Sequence, residues 1–357
     1  MREIPALLES NHEVHLVAPH ADEITTLPPS RRHALPNTMS RVNRVTVGQM
    51  RALRTVLRLR PDAVHIHDPE LIPAGWVLRL SGMQVVYDAH EDFPAQFEQK
   101  EYLSRGARWA AAPLVRALMS LNDHVVSGVI CATPDVAIRH RTARNRAVIA
   151  NYPDLQEYDL QSSQIRDIEF IYVGAISEER GVLTMVEALS STAAASELTL
   201  TLGGEVTPAG LCRVMEESPG WERVTYLGQI PSHDVASLLC RSQVGLVVLN
   251  NTPRYLTAYP TKLFEYMAAG CAFISSDFPI WRELASGVDC GLFIRPQDPV
   301  ELAEAMLYLR NNPQIVVEMG ARGRWLSEKK YSWRAEAQLM RDFYDRLPGQ
   351  IPKSLPA

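Results

Sequence analysis

The chain has 357 residues, of which 46% are hydrophobic and 22% are charged, and its formal net charge is -5 at pH 7. This length exceeds what one hydrophobic core usually serves, so we expect two domains. The composition excludes a fibrous or generally disordered chain. The charge gives no basic field that would hold nucleic acid phosphates, so we expect no nucleic acid partner.

Short β-branched segments alternate along the chain with longer segments of helical period. This alternation is typical of βαβ units that build parallel sheets, so the predicted fold class is α/β. Strands are predicted at 13–17, 63–67, 85–88, 129–132, 147–150, 170–174, 198–203, 224–227, 245–249, 272–275 and 292–294. Helices are predicted at 48–59, 182–194, 232–240, 300–309 and 335–346, among others.

Three features bear on organisation and compartment. The polar stretch 151–167 contains Pro153 and several acids, and we place the inter-domain linker there. The five cysteines are widely spaced and form no CxxC pair, which fits free thiols in a reducing compartment. Residues 1–10 lack the pattern of a signal peptide, and no 18-residue apolar segment occurs. The sequence predicts a cytoplasmic protein, with any membrane contact peripheral.

The segment 259–277 carries the most informative local pattern. Pro260 has the fixed φ that suits the first turn of a helix, and Gly270 suits the end of that helix before the next strand. The backbone N–H groups at the helix start, together with Lys262, form a place for phosphate oxygens.

One turn further along this helix, Glu265 faces the same side as Thr261. A carboxylate there is badly placed for phosphate and well placed for ribose hydroxyls. A plain capped helix whose Lys262 and Glu265 are solvated fits the local pattern as well.

Histidines and acids follow two predicted strands of the first half. They are His65, His67, Asp68 and Glu70 around the first strand end, and His90, Glu91 and Asp92 after the second. Ligands and chemistry in open α/β sheets gather at such carboxyl ends. A metal site is one interpretation, but the spacing fixes no set of three or four ligands. For His65, a hydrogen-bonded histidine within the core is another.

Several motifs together resemble the retaining glycosyltransferases of the GT-B fold, the large GT4-like family. They lie at 62–70, 87–94, 172–181, 259–283 and 331–333. Each is weak by itself, but their order and spacing are specific and extend across nearly the whole chain. The resemblance implies two Rossmann-like, doubly wound domains that face each other across a cleft. It also implies a glycosyltransferase that moves a sugar from a nucleotide-sugar donor to an acceptor hydroxyl.

The resemblance also implies the domain plan. An acceptor-side domain is expected at 1–157, a nucleotide-sugar-binding domain at 158–331, and a final helix and tail at 332–357 that cross back to the first domain. Family members usually begin with a strand and a glycine-containing loop, whereas this chain opens inside the helix that follows them. We therefore expect the first strand of the N-terminal sheet to be missing, which would leave unpaired backbone groups on its two neighbours.

Two family glutamates lie eight positions apart. The second falls on Glu265, which implies contact with the ribose of the donor. The first falls on Thr257, so we expect backbone amides at 259–262 to take over the contact with the transferred sugar.

The family commonly holds the donor diphosphate with two cations, each next to a glycine. The first cation falls on Ala175, directly after Gly174, and the second falls on Arg180. We therefore expect Arg180 and Lys262 to hold the diphosphate, because an arginine fork suits phosphate oxygens. Gly174, Pro260 and Thr261 are expected to line the same donor site.

A family histidine beside the reacting sugar falls on His90, which is expected to be a catalytic residue with Glu265. No Asp-x-Asp pair occurs, so no metal ion or other cofactor is expected, and the enzyme is predicted to be a metal-independent hexosyltransferase. The implied donor is a UDP- or GDP-sugar, and the implied acceptor is a glycan or a lipid-linked acceptor. Retention of configuration and a role in surface glycan or polysaccharide biosynthesis are further implications of the resemblance.

Other functions stay open at this point. A nucleotide-sugar epimerase of GT-B fold needs no separate acceptor, and a nucleotide-binding but impaired homologue would show no turnover. A Rossmann oxidoreductase is disfavoured, since no G-x-G-x-x-G follows an early strand. The basic, aromatic segment 100–116 predicts either peripheral contact with an anionic inner membrane face or a helix that packs on its own domain and is interrupted at Pro113.

Overall fold

The structure is a computed structural model, and it describes residues 2–36, 44–90, 93–94, 105–160, 165–256, 258–285 and 287–347, with the backbone alone at 44–45, 105–110 and 254. The chain divides into two compact units. The first contains Met1–Asn151 together with Arg334–Ala357, and the second contains Tyr152–Trp333.

Helices and strands alternate through both units. The α-helices described are α1 (Glu3–Glu9), α2 (Gln49–Leu59), α3 (Ile72–Leu80), α4 (Arg105–Val125), α5 (Pro134–Arg139), α6 (Val182–Ala188), α7 (Gly210–Glu216), α8 (Ser232–Cys240), α9 (Pro253–Leu256), α10 (Thr261–Ala268), α11 (Pro279–Leu284), α12 (Pro299–Asn311), α13 (Pro313–Lys330) and α14 (Trp333–Asp345). In the described part of the chain, no helix is long and apolar enough to cross a membrane.

The first unit holds two parallel sheets. The strands are β1 (Leu16–Pro19), β2 (Arg32–Leu35), β3 (Ala63–Ile66), β4 (Gln84–Ala89), β5 (Gly128–Cys131) and β6 (Arg146–Val148). β1 pairs with β2, and the other four pair in the order β3-β4-β5-β6. Within the described residues, no strand pairs with β1 opposite β2 or with β3 opposite β4.

The second unit is built on one six-stranded parallel sheet. Its strands are β7 (Ile168–Val173), β8 (Leu200–Gly203), β9 (Val224–Tyr226), β10 (Ser242–Val247), β11 (Ala272–Ser276) and β12 (Gly291–Ile294), in the order β12-β11-β10-β7-β8-β9. Alternate residues of β7 enter opposite cores, with Phe170 and Tyr172 on one face and Ile171 and Val173 on the other. Helices therefore cover both faces of this sheet, which explains its nearly continuous apolar strands.

Every predicted strand overlaps a strand of the structure, with ends that differ by up to three residues. β2 was not predicted, because its sequence, Arg-His-Ala-Leu, lacks β-branched residues. The helix predicted at 182–194 ends at Ala188, where the hydroxyl of Ser191 donates to the carbonyl oxygen of Ala188 at 3.0 Å. A hydroxyl that bonds locally to the backbone in this way competes with helix continuation.

The expectation that Pro113 interrupts its helix is wrong. α4 runs from Arg105 to Val125 with Pro113 inside it. Pro113 lies on the exposed side of the helix, where water can hydrate the carbonyl group that loses its helical hydrogen bond.

Candidate functional site

Two glycines meet at the carboxyl ends of neighbouring strands in the six-stranded sheet of the second unit. β7 ends just before Gly174 and β8 just before Gly204, and the Gly174 N–H donates to the carbonyl oxygen of Gly203 at 2.8 Å. A Cβ atom on Gly204 would lie 1.8 Å from the carbonyl oxygen of Gly174. Only residues without side chains allow the two loops to come this close, and the backbone at this edge is left open to a ligand.

The side chain of Lys262 lies directly across Gly174. A Cβ atom on Gly174 would be 2.4 Å from Cε and 2.8 Å from Nζ of this lysine. The ammonium group is also 5.8 Å from the centre of the Tyr172 ring and 3.9 Å from a carboxylate oxygen of Glu265. The glycine thus creates the space in which the lysine is held at the sheet edge.

Arg180 reaches the same place from the neighbouring loop. It ends the 3₁₀ helix Glu178–Arg180, and its guanidinium interacts with Tyr172, whose hydroxyl donates to the carbonyl oxygen of Ala175 at 2.8 Å. Tyr172 therefore connects the two cations that the sequence assigned to the donor diphosphate.

The electrostatics of the two cations differ. Burial lowers the pKa of Lys262, the charge of Arg180 lowers it further, and Glu265 opposes both effects. Burial by itself would lower the pKa of Arg180, but Tyr172 and Glu179 raise the pKa of the guanidinium above its ordinary value. Arg180 therefore stays cationic, while Lys262 gains from an anion nearby.

Helix α10 begins one residue later than the sequence suggested. Pro260 is the residue before the helix rather than part of its first turn, and no side chain caps the helix start. The Leu263 N–H already donates to the carbonyl oxygen of Pro260 at 3.0 Å. The N–H groups of Thr261 and Lys262 stand at the positive end of the helix, as the first amides of any helix do.

The second unit thus brings together Gly174, Arg180, Pro260, Thr261, Lys262 and Glu265. Thr257 lies outside the described residues. Sequence reasoning missed Tyr172, although its place two residues before Gly174 on an apolar strand was the available signal.

A cluster of histidines occupies the first unit at the end of β3 and β4. The register pairs Ile66 with Tyr87, so His67 comes next to Asp88 and His65 lies on the same strand face. His90 follows directly after β4. The side chain of Asp88 is 3% exposed, whereas those of His67 and His90 are about half exposed.

Three imidazole rings crowd one carboxylate oxygen. Oδ2 of Asp88 lies 3.4 Å from Nε2 of His65, 3.2 Å from Nδ1 of His67 and 3.1 Å from Nε2 of His90. The rings are stacked, with interplanar angles of 14° between His65 and His67 and 6° between His67 and His90. Burial works to raise the pKa of Asp88, but the neighbouring imidazoles lower it well below its ordinary range.

Two further residues complete the cluster. A carboxylate oxygen of Glu3 lies 3.6 Å from Nε2 of His67, and the hydroxyl of Tyr344, from α14, lies 2.8 Å from Nδ1 of His65. Burial works to lower the pKa of His67, but Asp88 and Glu3 raise it overall. The second carboxylate and the phenol come from the two ends of the chain.

The other residues that the sequence grouped with these histidines differ in their surroundings. Nδ1 of His65 is hydrogen-bonded to Tyr344, as the interpretation of a hydrogen-bonded histidine implies, whereas its buried Nε2 has no hydrogen-bond partner. Asp68 and Glu70 are exposed. Glu91 and Asp92 lie outside the described residues.

Sequence reasoning missed Asp88, Glu3 and Tyr344 as members of the cluster. The available signal for Asp88 was an acid at the end of an otherwise apolar strand. No local pattern pointed to Glu3 or Tyr344, which are brought to the cluster by helices at opposite ends of the chain.

Comparisons with known proteins identify the fold. A family model described as glycosyl transferases group 1 matches residues 167–312, and one described as glycosyltransferase family 4 matches residues 2–157. A search of curated proteins found no match.

Solved structures resemble the whole chain. A sucrose-phosphate synthase from Thermosynechococcus elongatus has a TM-score of 0.72 at 19% identity, covering 96% of this chain and 90% of that one. A glycosyltransferase from Rickettsia africae has 0.68 at 11% identity, covering 98% and 95%. Anabaena HepE in complex with UDP-glucose has 0.66 at 15% identity, covering 88% and 86%.

The two units built on parallel sheets, together with the likeness to these solved structures, show the GT-B fold. The two family models match consecutive parts of the chain, one in each half. The chain therefore belongs to the glycosyl transferases group 1, the GT4-like family.

Proposed function

We propose that this glycosyltransferase takes a hexose from a UDP- or GDP-sugar bound to its second unit and transfers it to a hydroxyl group of a glycan or lipid-linked acceptor, with retention of configuration. Such a reaction belongs to surface glycan or polysaccharide biosynthesis. The observation that carries the proposal is the side chain of Lys262 lying across Gly174, with Arg180 joined to the same place through Tyr172.

Each donor group has a matching partner in this arrangement. Lys262 and Arg180 bind the diphosphate, and the amides of Thr261 and Lys262 add the positive end of α10. Pro260 sets the direction of the chain into the helix. Glu265, one turn inside α10, accepts hydrogen bonds from the ribose hydroxyls.

The leaving group of the transfer is the nucleoside diphosphate, which carries the developing negative charge. Two fixed cations and a helix start stabilise this charge without rearrangement, so electrostatic preorganisation supplies most of the rate enhancement. The diphosphate needs no bridging metal ion in this scheme. His90 lies beside the reacting sugar and orients its hydroxyls.

The neighbours support a uridine nucleotide. HepE was solved with UDP, with UDP and glucose, and with UDP-glucose, and TarM from S. aureus was solved with UDP and α-GlcNAc-glycerol. These ligands belong to those proteins, and they make UDP the first nucleotide to test here.

The test is calorimetric titration of the full chain with UDP, GDP, ADP and NAD in the presence of EDTA. We expect one nucleoside diphosphate to bind, and Lys262→Met to weaken its binding by about 10-fold or more, since a hydrogen bond to a charged group contributes roughly 1.5–3 kcal/mol. The matched control is Lys330→Met, because Lys330 also lies near a tyrosine ring but on α13. Selective binding of NAD, or equal binding by both variants, would refute the proposed donor site.

Product analysis with the matching nucleotide sugar separates transfer from its alternatives. Transfer releases the nucleoside diphosphate and requires an acceptor, whereas an epimerase converts the sugar without one. Binding of the nucleotide with no turnover would identify an impaired homologue.

A lipid-linked acceptor also implies contact with a membrane surface, and we place it at the segment 100–116. Leu114 is 71% exposed on α4, which suits insertion into a headgroup layer. The side chains of Arg105 and Arg108 lie outside the described residues. Arg105→Glu/Arg108→Glu should abolish binding to anionic liposomes, and Arg213→Glu on the exposed face of α7 should not. Unchanged binding by the first variant would contradict the contact.

A further inference from the structure

The histidine cluster of the first unit is not satisfied by its own hydrogen bonds. Three ring nitrogens, from His65, His67 and His90, lie within 3.4 Å of Oδ2 of Asp88. One carboxylate oxygen offers about two lone pairs, and three stacked rings cannot all direct an N–H group to it. Nε2 of His65 is buried, and its 3.4 Å contact with Asp88 lacks hydrogen-bond geometry, which is costly in a folded protein. A Lewis acid between these atoms would accept their lone pairs and replace the missing hydrogen bonds.

We propose that Glu3, His65, His67 and Asp88 bind one divalent transition-metal ion, and that Zn²⁺ fits their donor chemistry. Each of these residues offers one ligand atom, and the four atoms lie within 4.8 Å of one another. Imidazole nitrogens with carboxylate oxygens are ordinary zinc ligands. In the His-x-His sequence, His65 lies on β3 and His67 directly follows it on the same face, while Asp88 approaches from the adjacent strand β4.

Two distances within the cluster are close to those between ligands of a tetrahedral ion. Bonds of about 2.0–2.1 Å place tetrahedral ligand atoms about 3.4 Å apart. Oδ2 of Asp88 lies 3.4 Å from Nε2 of His65 and 3.2 Å from Nδ1 of His67. The carboxylate of Glu3, in the first turn of α1, lies within 4.8 Å of the other ligand atoms and is 3.6 Å from Nε2 of His67.

The charge of the cluster also fits a cation. Two carboxylates face imidazoles that bind metal in their neutral form, so the four side chains carry a net negative charge. A divalent ion balances both carboxylates and takes up the nitrogen lone pairs.

The hydroxyl of Tyr344 can accept the hydrogen bond that the metal-binding tautomer of His65 donates. With a proton on Nδ1, His65 donates to the phenol oxygen 2.8 Å away, and the lone pair of Nε2 then faces the cluster. A metal-binding histidine almost always donates its other ring N–H to such a partner. Tyr344 is therefore a positioning residue of the site.

Binding the ion requires one ring to turn. A metal lies in the plane of each imidazole that binds it, and the planes of His65 and His67 are stacked within 14° of each other. Rotation about χ2 of a histidine is broad and inexpensive, so His67, with a side chain that is 45% exposed, can turn toward the ion.

A second histidine pair in the same unit provides a built-in control. His15 and His33 are also stacked, with ring centres 5.3 Å apart and a nitrogen–nitrogen distance of 3.0 Å. The acid that His15 contacts is Glu13, at 3.3 Å, and the side chain of Glu13 is 66% exposed rather than buried. Stacking of histidines alone therefore does not distinguish the proposed site.

The experiment is a titration of the tag-free, EDTA-treated and desalted full chain with Zn²⁺, followed by calorimetry. We expect one tight zinc ion per chain. His67→Gln and Asp88→Asn should each weaken its binding at least about 100-fold, Tyr344→Phe should weaken it about 10–100-fold, and His33→Gln should leave it unchanged. Substitution by Co²⁺ should give the visible absorption of a tetrahedral site in the wild type and in His33→Gln, but not in His67→Gln.

The outcomes decide the proposal independently of the donor site. Absence of tight zinc binding, or equal binding by His67→Gln and His33→Gln, would overturn it. Thermal unfolding in EDTA identifies any variant that fails to fold, and His67→Gln is the decisive variant because that side chain is half exposed. UDP binding is measured in EDTA on residues of the second unit, so either proposal can fail without the other.

Discussion

Replacing Gly174 with alanine should displace Lys262 and thereby weaken nucleotide binding. The new Cβ would lie 2.4 Å from Cε of the lysine, whereas ordinary contacts begin at 3.4 Å, so the end of the lysine must move by about 1 Å. A shift of this size breaks a hydrogen bond to a phosphate oxygen, which contributes roughly 1.5–3 kcal/mol, equivalent to about 10- to 150-fold in the Kd for UDP.

The substitution also strains the backbone, and this second effect must be separated from the first. Gly174 has φ of +151°, a conformation that costs an alanine on the order of 1–3 kcal/mol. Gly287→Ala is the matched control, because Gly287 has φ of +73° and a Cβ atom there meets no heavy atom within 4 Å. Both variants should lower the unfolding temperature, but only Gly174→Ala should change the Kd.

A double-mutant cycle with Lys262→Met identifies the cause. If Gly174→Ala acts through the lysine, the double variant should bind UDP no more weakly than Lys262→Met alone. Calorimetry on the four proteins gives the coupling. Independent, multiplying effects on the Kd, or an unchanged Kd in Gly174→Ala, would refute the reasoning.

Three further predictions concern other parts of the chain. The carboxylate of Glu336 accepts a hydrogen bond from the Ala150 N–H at 2.7 Å, and burial raises the pKa of this carboxyl group. The protonated form of Glu336 therefore contributes stability that is present below pH 4.5 and is lost as the pH rises through the folded-state pKa. At pH 7, Glu336→Gln should therefore unfold at the same temperature as the wild type or at a higher one. Glu336→Ala should lower the free energy of unfolding by about 1–3 kcal/mol, because the buried N–H of Ala150 is left unpaired. A Gln variant as unstable as the Ala variant would contradict this. Burial lowers the pKa of Lys262 from its ordinary value of 10.5, so the affinity for UDP should fall as the pH rises through this lowered pKa. Lys262→Arg should bind UDP without this pH dependence. An identical pH profile in both proteins would exclude the lysine as the cause of the fall in affinity. Thr257→Ala should barely change turnover if backbone amides hold the transferred sugar, and a large loss in a steady-state assay would show that the threonine side chain takes part.

The sequence predicted the parts of the fold that depend on local pattern. Short β-branched segments and helical patterns located every strand of the six-stranded sheet and the helix 232–240, which matches α8 at both ends. α10 was found because a proline, a lysine and a glycine mark its start and end. These signals are carried by neighbouring residues, so one sequence is enough to read them.

Features that depend on distant residues could not be predicted in the same way. Asp88 was read as the end of a strand, but its surroundings come from β3, α1 and α14. Pro113 was read as a break, since its sequence does not show that it would lie on the exposed side of α4. Lys262 was predicted from the pattern at its helix start and Arg180 from the family resemblance, whereas the position of Tyr172 between them was seen only in the structure.

The last helix has a consequence for how the protein is made. α14 belongs to the first unit, where Phe343 lies against Gly128 and Glu336 accepts from Ala150. The second unit is one continuous stretch, so it can complete its fold on the ribosome while synthesis continues. The first unit emerges earlier, but its contacts with α14 form only after that helix has been made. The order in which the units mature is therefore the reverse of the order in which translation begins them, and the early-emerging half is the one that needs protection from aggregation.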